Sequence, residues 1–196
     1  MVAVRKRAPT RMTLDEFLGW DPGDASGHRW QLLDGEPVAM APASEPHGAI
    51  QGEIIGLLGN HLIERHSHCR VIARPGIVPR VRANRNYRIP DVGVTCAAPA
   101  LGLMVPEAVL LVEILSPNNE MATRANIWAY TTIPSVRELL VVHSTRIEAE
   151  LLRRRPDSMW PEQPDMLGVD AILTLESIEF SAPLTALFRT SALAVG

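Results

Sequence analysis

The apolar positions of the chain recur with two different periods, and each period predicts a different kind of element. Between residues 46 and 65 they follow at three- and four-residue steps, which is typical of an amphipathic helix. Thr13 and Glu16 form a capping-box pattern that predicts a short earlier helix. The stretch HRWQLLDGEPVAM alternates around Asp34-Gly35, so it predicts a hairpin with a tight turn.

Further along the chain, apolar runs predict the strands of a larger sheet. The near-continuous run AVLLVEILS at 108–116 is typical of a central strand that is covered on both faces. The other predicted elements are a strand pair at 70–81 and 88–96 split by a turn at 84–86, a helix at 119–130, strands at 138–144 and 147–152, a proline-rich loop at 156–164 and short C-terminal strands. This order predicts an α/β (α+β) fold, a mixed β-sheet flanked by helices, with an N-terminal helix and β-hairpin.

Length and composition fit one globular domain. With 196 residues, 46% of them apolar, we expect a single domain at 13–196 after a flexible tail at 1–12. No apolar run reaches the roughly 18 residues that span a bilayer, and the basic start lacks the apolar core of a signal peptide. Cys69 and Cys96 lack metal-site spacing, so we expect reduced thiols and a cytoplasmic location.

The charge distribution is uneven. A formal net charge of −3 argues against a protein that coats nucleic acid without specificity. Six arginines between residues 70 and 88 nevertheless come with no acid among them. They predict either a local positive surface or a solvated hairpin with arginine-rich edges. Lys6 is the only lysine of the chain.

Two acids stand in apolar surroundings. Asp91 lies in NYRIPDVGV and Glu113 in LLVEILS, and a buried carboxylate is costly unless something pairs with it. We expect the two acids to lie on neighbouring strands with carboxylates within roughly 4–6 Å, where they would repel unless a positive group lies between them. A Mg²⁺ or Mn²⁺ ion meets that need, because both prefer oxygen ligands. The alternative is that each acid pairs with its own arginine in an α/β domain without a metal.

Several motifs, taken in order, resemble the Uma2-type family of endonucleases, a branch of the PD-(D/E)XK nuclease superfamily. They are MTLDEFL, WQLLDGEPVAM, PASEPHGAI, RIPDVGV, LLVEILSP and YTTIPSVRELLVVHS, and they extend from residue 12 to residue 144. The resemblance implies the nuclease core fold and cleavage of DNA phosphodiester bonds with Mg²⁺ or Mn²⁺. It also implies Asp91, Glu113 and the backbone carbonyl of Ile114 as metal ligands.

The chain departs from the family pattern at its cationic residue. The superfamily has a lysine two residues after the second acid, where this chain has Leu115. This branch carries the lysine four residues before a tyrosine, which corresponds to Asn126 before Tyr130. Arg124 is a candidate electrostatic substitute, although a guanidinium stays protonated and cannot be the general base. Gln31 also replaces the acid of the family's hairpin.

These departures leave two functional hypotheses. The chain is either a weak metal-dependent endonuclease or a catalytically degenerate member that serves as a binding or assembly module. For the first hypothesis, we expect Asn126→Lys to raise manganese-supported nicking of DNA, and Asp91→Ala to abolish the gain.

Three further expectations concern the surroundings of the site. His47, at the predicted helix start, either faces the metal cleft with Arg124 or is satisfied by nearby backbone. Trp128 and Tyr130 are expected to pack in the core. A homodimer is expected because cutting both DNA strands usually needs two sites, and LGLMVPEAVL and PLTALF offer apolar surface.

Overall fold

The computed structural model describes residues 11–23, 29–117 and 119–194. Three α-helices are present in this part of the chain: α1 (Leu14–Leu18), α2 (Glu45–Glu64) and α3 (Glu120–Tyr130). The strands are β1 (Trp30–Leu33), β2 (Glu36–Ala39), β3 (Arg70–Ala73), β4 (Val92–Thr95), β5 (Ala108–Leu115), β6 (Glu138–His143), β7 (Ala149–Arg153), β8 (Asp165–Leu167), β9 (Ile172–Leu175) and β10 (Phe180–Pro183). The α/β class with a mixed sheet flanked by helices is confirmed.

The main sheet has the strand order β3-β4-β5-β6-β7-β8. Its two central strands, β5 and β6, are parallel, and the other neighbours in it are antiparallel. Parallel neighbours need a crossover connection, and α3 lies in the chain between β5 and β6. The end of β5, the start of β4 and the beginning of α3 therefore meet at one edge of the sheet.

Each face of the sheet is covered by its own helix. On one face α2 packs through Ile50, Ile54 and Leu58 against strand residues such as Val112. On the other face α3 packs through residues that include Ile127 and Tyr130. No helix among the described residues has the length and apolar character needed to cross a membrane.

Two segments predicted as apolar surface have different environments. In PLTALF, the apolar residues Leu184, Leu187 and Phe188 are buried in the core beside α2, so this segment cannot supply a dimer surface. In LGLMVPEAVL, by contrast, Leu101 and Leu103 are exposed. Of the two segments, only the second therefore has exposed apolar side chains.

The N-terminal part of the fold forms a small third core. The capping box is confirmed, because the Thr13 side chain accepts from the Glu16 N–H and Glu16 accepts from the Thr13 N–H. Residues 1–10 of the predicted tail lie outside the described residues. Met12 is buried against the β1–β2 hairpin and donates its N–H to the Gly35 carbonyl, so packing begins before the predicted boundary.

The strand pair predicted at 70–81 and 88–96 is shorter than expected. Only β3 and β4 pair continuously, and the chain between them leaves the sheet through left-handed residues at Arg74 and Arg82. Single bridges join Ile77 to Arg88 and Leu32 to Tyr87. The connection between β3 and β4 is therefore an irregular segment that lies beside the start of β4, not a continuation of the hairpin.

The prediction of free thiols is wrong. The antiparallel register pairs Arg70 with Thr95, and one further step places Cys69 opposite Cys96. The two residues form a disulfide, with a Cα–Cα distance of 3.9 Å. Cysteine spacing alone does not reveal this pairing, because it follows from the register of β3 and β4.

Candidate active site

A pocket of about 780 Å³ opens at the edge of the sheet where β5 ends. The β1–β2 hairpin, the start of α2, the β3–β4 connection and the first turns of α3 form its walls. Asp91, Glu113, His47 and Asn126 all line it. The fold thus brings four of the five side chains predicted for catalysis to one place.

Asp91 lies directly before β4 and is held from several sides. Val92 pairs with Val112, so one further step of the same register places Asp91 opposite Glu113. Its Oδ1 is 2.9 Å from His47 Nε2, and its Oδ2 accepts the Ile114 N–H at 2.7 Å. The Asp91 carboxylate therefore has a fixed orientation at the floor of the pocket.

Glu113 is the second buried acid, and only one of its oxygens is engaged by described residues. Oε1 accepts from Asn126 Nδ2 at 3.0 Å and from the Tyr130 hydroxyl at 2.9 Å. Asn126 and Tyr130 reach the same oxygen because residues four apart lie on one face of a helix. Among the described residues, none donates a hydrogen bond to Oε2.

Burial raises the pKa of Glu113 to about 8, with the nearby Asp91 carboxylate as the second cause. Hydrogen bonds from Tyr130 and Asn126 act in the opposite direction but are weaker. Burial also raises the pKa of the Tyr130 hydroxyl, so Tyr130 stays a donor. At neutral pH, Glu113 is therefore mostly protonated unless a cation compensates the two carboxylates.

The backbone of Ile114 completes the oxygen cluster. In a β-strand, the N–H and C=O of one residue point toward the same neighbouring strand. Because the Ile114 N–H donates to Asp91, its carbonyl oxygen also points toward the start of β4. That oxygen accepts a hydrogen bond from Asn119 Nδ2 at 3.2 Å.

His47 lies in the first turn of α2, which Ser44 caps. Its ring contacts the Asp91 carboxylate and lines the pocket, so it faces the cleft as one of the two predictions had it. The core-packing prediction also holds for Tyr130, which is fully buried, but fails for Trp128, which is exposed on the outer face of α3.

Arg124 does not border the pocket, and the prediction that it would is wrong. Its guanidinium binds both carboxylate oxygens of Glu150 on β7 and lies 3.6 Å from Glu120. Residues two apart on a helix point in different directions, so Arg124 cannot share the face that Asn126 presents to Glu113. Its positive charge is paired with the Glu150 carboxylate.

Two arginines that the sequence did not single out are closer to the site. Arg74 lines the pocket, and no described residue accepts a hydrogen bond from its guanidinium. Arg88 is buried beside Asn126, and its Nη1 donates to Asn126 Oδ1 at 2.6 Å. In the sequence, Arg88 lies between the apolar residues Tyr87 and Ile89, and this context is the signal that could have indicated its burial.

The donor atoms at this site suit a hard divalent cation. Asp91, Glu113 Oε2 and the Ile114 carbonyl offer oxygen ligands, which Mg²⁺ and Mn²⁺ prefer. The Asp91 carboxylate also raises the cost of ionising Glu113, and a cation between the two acids removes that cost. The residues present therefore fit such an ion.

The mixed sheet with helices on both faces, and the two acids at one edge of it, agree with the nuclease-like class of protein that the sequence motifs resemble. The chain belongs to the Uma2 family: the family model described as "Putative restriction endonuclease" matches residues 14–185. This chain is also 29% identical over 164 residues to the uncharacterized protein slr1290 of Synechocystis sp. (strain ATCC 27184 / PCC 6803 / Kazusa). The alignment covers 82% of this chain and 84% of that protein.

The fold is also similar to a solved structure. A "putative nuclease belonging to DUF820" from Anabaena variabilis ATCC 29413 superimposes with a TM-score of 0.73 at 16% sequence identity. The match covers 90% of this chain and 97% of that protein. At this level of identity the similarity establishes the shared fold.

Proposed function

We propose that this chain is a metal-dependent endonuclease that hydrolyses DNA phosphodiester bonds, with Mg²⁺ or Mn²⁺ held by Asp91, Glu113 and the Ile114 carbonyl. The observation that carries the proposal is the buried acid pair in an open pocket, with Glu113 Oε2 unengaged by described residues. Such an ion, when bound, lowers the pKa of a water molecule and neutralises charge on a phosphate.

The residues around the two acids set their orientation. His47 and the Ile114 N–H fix Asp91, while Asn126 and Tyr130 donate to Glu113 Oε1 and leave Oε2 for the proposed ion. Arg74 places a positive charge in the pocket, where it can contact a phosphate of the DNA backbone. The chain's own side chains thus prepare the ligands and receive the anionic substrate.

The reaction is expected to be slow, because Asn126 brings no charge to the pocket where the family has a lysine. Loss of one well-placed electrostatic contact costs about 10²–10³ in rate. We therefore expect slow, Mn²⁺-dependent nicking of supercoiled plasmid DNA, measured by gel electrophoresis, and none with Asp91→Asn. Nicking that persists in Asp91→Asn, or that proceeds in a chelator, would contradict the proposal.

A second candidate function is a degenerate nuclease fold that binds without cutting. Gln31 and Asn126 favour it, since both line the pocket as neutral amides where the family has an acid and a lysine. Gln31 accepts the Ile89 N–H at 3.1 Å, a structural contact that needs no charge. Mn²⁺ binding without any plasmid nicking would select this alternative.

The proposed metal site predicts a pH dependence. Below about pH 8 an incoming cation must displace the proton of Glu113, so its affinity should rise by up to about tenfold per pH unit between pH 6 and 8. The stability of the metal-free protein should change with pH in the opposite direction to the cation affinity. Its folded state binds this proton more tightly than the unfolded chain does, so its stability should fall as pH rises from about 5 through 8.

Calorimetric titration with Mn²⁺ and thermal unfolding at several pH values measure both trends. Glu113→Gln should remove the contribution of Glu113 to the pH dependence of stability over this interval. A Mn²⁺ affinity that is flat from pH 6 to 8 would show that Glu113 is already ionised or is not a ligand.

A homodimer remains part of the proposal. Cutting both strands of a duplex usually needs two sites, and two-fold dimers are the commonest oligomers. Leu101, Leu103 and Met104 are exposed next to one another on a loop before β5, and they supply apolar surface for such a contact.

A further inference from the structure

Arg88 is a buried arginine that makes its hydrogen bonds to amides. Only 7% of the residue is exposed, and a buried charge ordinarily needs a carboxylate partner. Its Nη1 donates to Asn126 Oδ1 at 2.6 Å and its Nη2 donates to Asn86 Oδ1 at 3.1 Å. No described residue accepts from its Nε. The guanidinium is therefore held between two neutral side chains.

Each of the two amides also donates a hydrogen bond to a carboxylate. Asn86 Nδ2 donates to Asp34 Oδ1 at 3.0 Å, and Asn126 Nδ2 donates to Glu113 Oε1 at 3.0 Å. A guanidinium only donates hydrogen bonds, so each amide must turn its oxygen toward Arg88 and its NH₂ group toward the acid. Arg88 is the hydrogen-bond donor that sets the orientation of Asn126, whereas Asn86 is also held by the Asp34 N–H and by the carbonyls of Val81 and Arg82.

We infer that Arg88 is the buried cation of this site and a positioning residue that acts on Glu113 through Asn126, an inference that rests on the proposed metal site. With Asn126 held in this way, Glu113 Oε1 is occupied and Oε2 is directed to the ion. The positive charge that the family places on a lysine at position 126 lies one side chain further back, on Arg88.

This arrangement changes the expectation for Asn126→Lys. An ammonium introduced at position 126 would meet the Arg88 guanidinium, whose Nη1 lies only 2.6 Å from the Asn126 oxygen. Two like charges in a buried position destabilise each other, and neither has a carboxylate to itself. Lysine at 126 and arginine at 88 are therefore alternatives, and the single substitution should damage the site instead of restoring it.

The test is a thermal unfolding cycle, without metal, on the parent, Asn126→Lys, Arg88→Gln and the double variant. Asn126→Lys should lower Tm by on the order of 10 °C, because Arg88 loses its Asn126 acceptor and faces a second buried cation that competes for Glu113. Removing the Arg88 charge should relieve it, so the double variant should melt at least about 5 °C above Asn126→Lys alone. If Arg88 served only packing, the two losses would add and the double variant would be the least stable.

Arg154, a half-buried arginine with a similar hydrogen-bonding pattern, provides the control. It also donates through Nη1 and Nη2 to two acceptors, the carbonyls of Pro134 and Thr131, and no described residue accepts from its Nε. Arg154→Gln combined with Asn126→Lys should therefore be less stable than either single variant. Relief by Arg154→Gln equal to that by Arg88→Gln would overturn the inference, as would an Asn126→Lys protein that melts like the parent.

The outcome separates this inference from the proposed function. Mn²⁺ calorimetry of the parent tests the metal site, whereas the unfolding cycle needs no metal. The parent could bind no Mn²⁺ while the double variant still melts above Asn126→Lys. That result would contradict the metal site but would still identify Arg88 as the buried cation. In a parent that binds Mn²⁺, the double variant should also nick plasmid faster than Asn126→Lys.

Discussion

Glu113→Gln is expected to weaken Mn²⁺ binding by about 100-fold or more, while leaving the metal-free protein at least as stable as the parent. Losing even a residue that only supports a metal ligand costs 10–100-fold in affinity, and here an anionic ligand itself is lost. The metal-free protein should tolerate the change, because burial and Asp91 already disfavour the Glu113 charge. Glutamine keeps an oxygen for Asn126 and Tyr130 to donate to.

Calorimetric titration with Mn²⁺ and thermal unfolding at pH 8 measure the two halves of this prediction. If the variant is as stable as the parent or more stable, but has lost Mn²⁺ binding, then Glu113 is a metal ligand. A variant that loses stability but binds Mn²⁺ as the parent does would assign Glu113 a structural role.

Glu138→Gln is expected to have the opposite profile, with a loss of about 3–5 kcal/mol in the free energy of unfolding and no change in Mn²⁺ affinity. Glu138 begins β6, is fully buried, and lies outside the pocket. Its carboxylate accepts from Arg153 Nε at 2.9 Å and from the N–H groups of Glu176 and Ser177 at 3.0 and 2.9 Å. An amide at this position would turn an NH₂ group toward donors and leave Arg153 without its buried partner.

The nearby Glu176 supplies the control for this second prediction. Its side chain is exposed and lies 3.1 Å from the same arginine, so Glu176→Gln should cost less than about 1 kcal/mol. Chemical denaturation of both variants, followed by fluorescence or circular dichroism, gives the comparison. Equal stability of Glu138→Gln and the parent would show that the buried network is dispensable.

The elements of the fold follow from local patterns, and so does the acid pair. Helices α2 and α3 and strand β5 lie within one or two residues of their predicted limits, because apolar periodicity reports directly on a buried face. Asp91 and Glu113 stood out because each interrupts an apolar run, and burial of charge is rare without a partner. Their meeting at one edge also follows from the strand order.

The errors arose where three-dimensional register decides the contact. Its charge and its proximity to Asn126 in the sequence favour Arg124, although two steps along a helix turn a side chain away from the shared face. Cys69 and Cys96 meet because β3 and β4 pair in one particular register, which composition does not encode. Both alternatives for the six arginines at 70–88, a local positive surface or a solvated hairpin, place Arg88 at the surface, whereas the structure buries it.

The central claim is that a divalent cation binds between Asp91 and Glu113. Anomalous diffraction from a crystal soaked in Mn²⁺ tests it most directly. We predict one strong anomalous peak at roughly 2.0–2.3 Å from an Asp91 oxygen, Glu113 Oε2 and the Ile114 carbonyl oxygen. A fully soaked crystal with no peak in this pocket, or with the ion bound elsewhere and the two carboxylates unchanged, would contradict the claim.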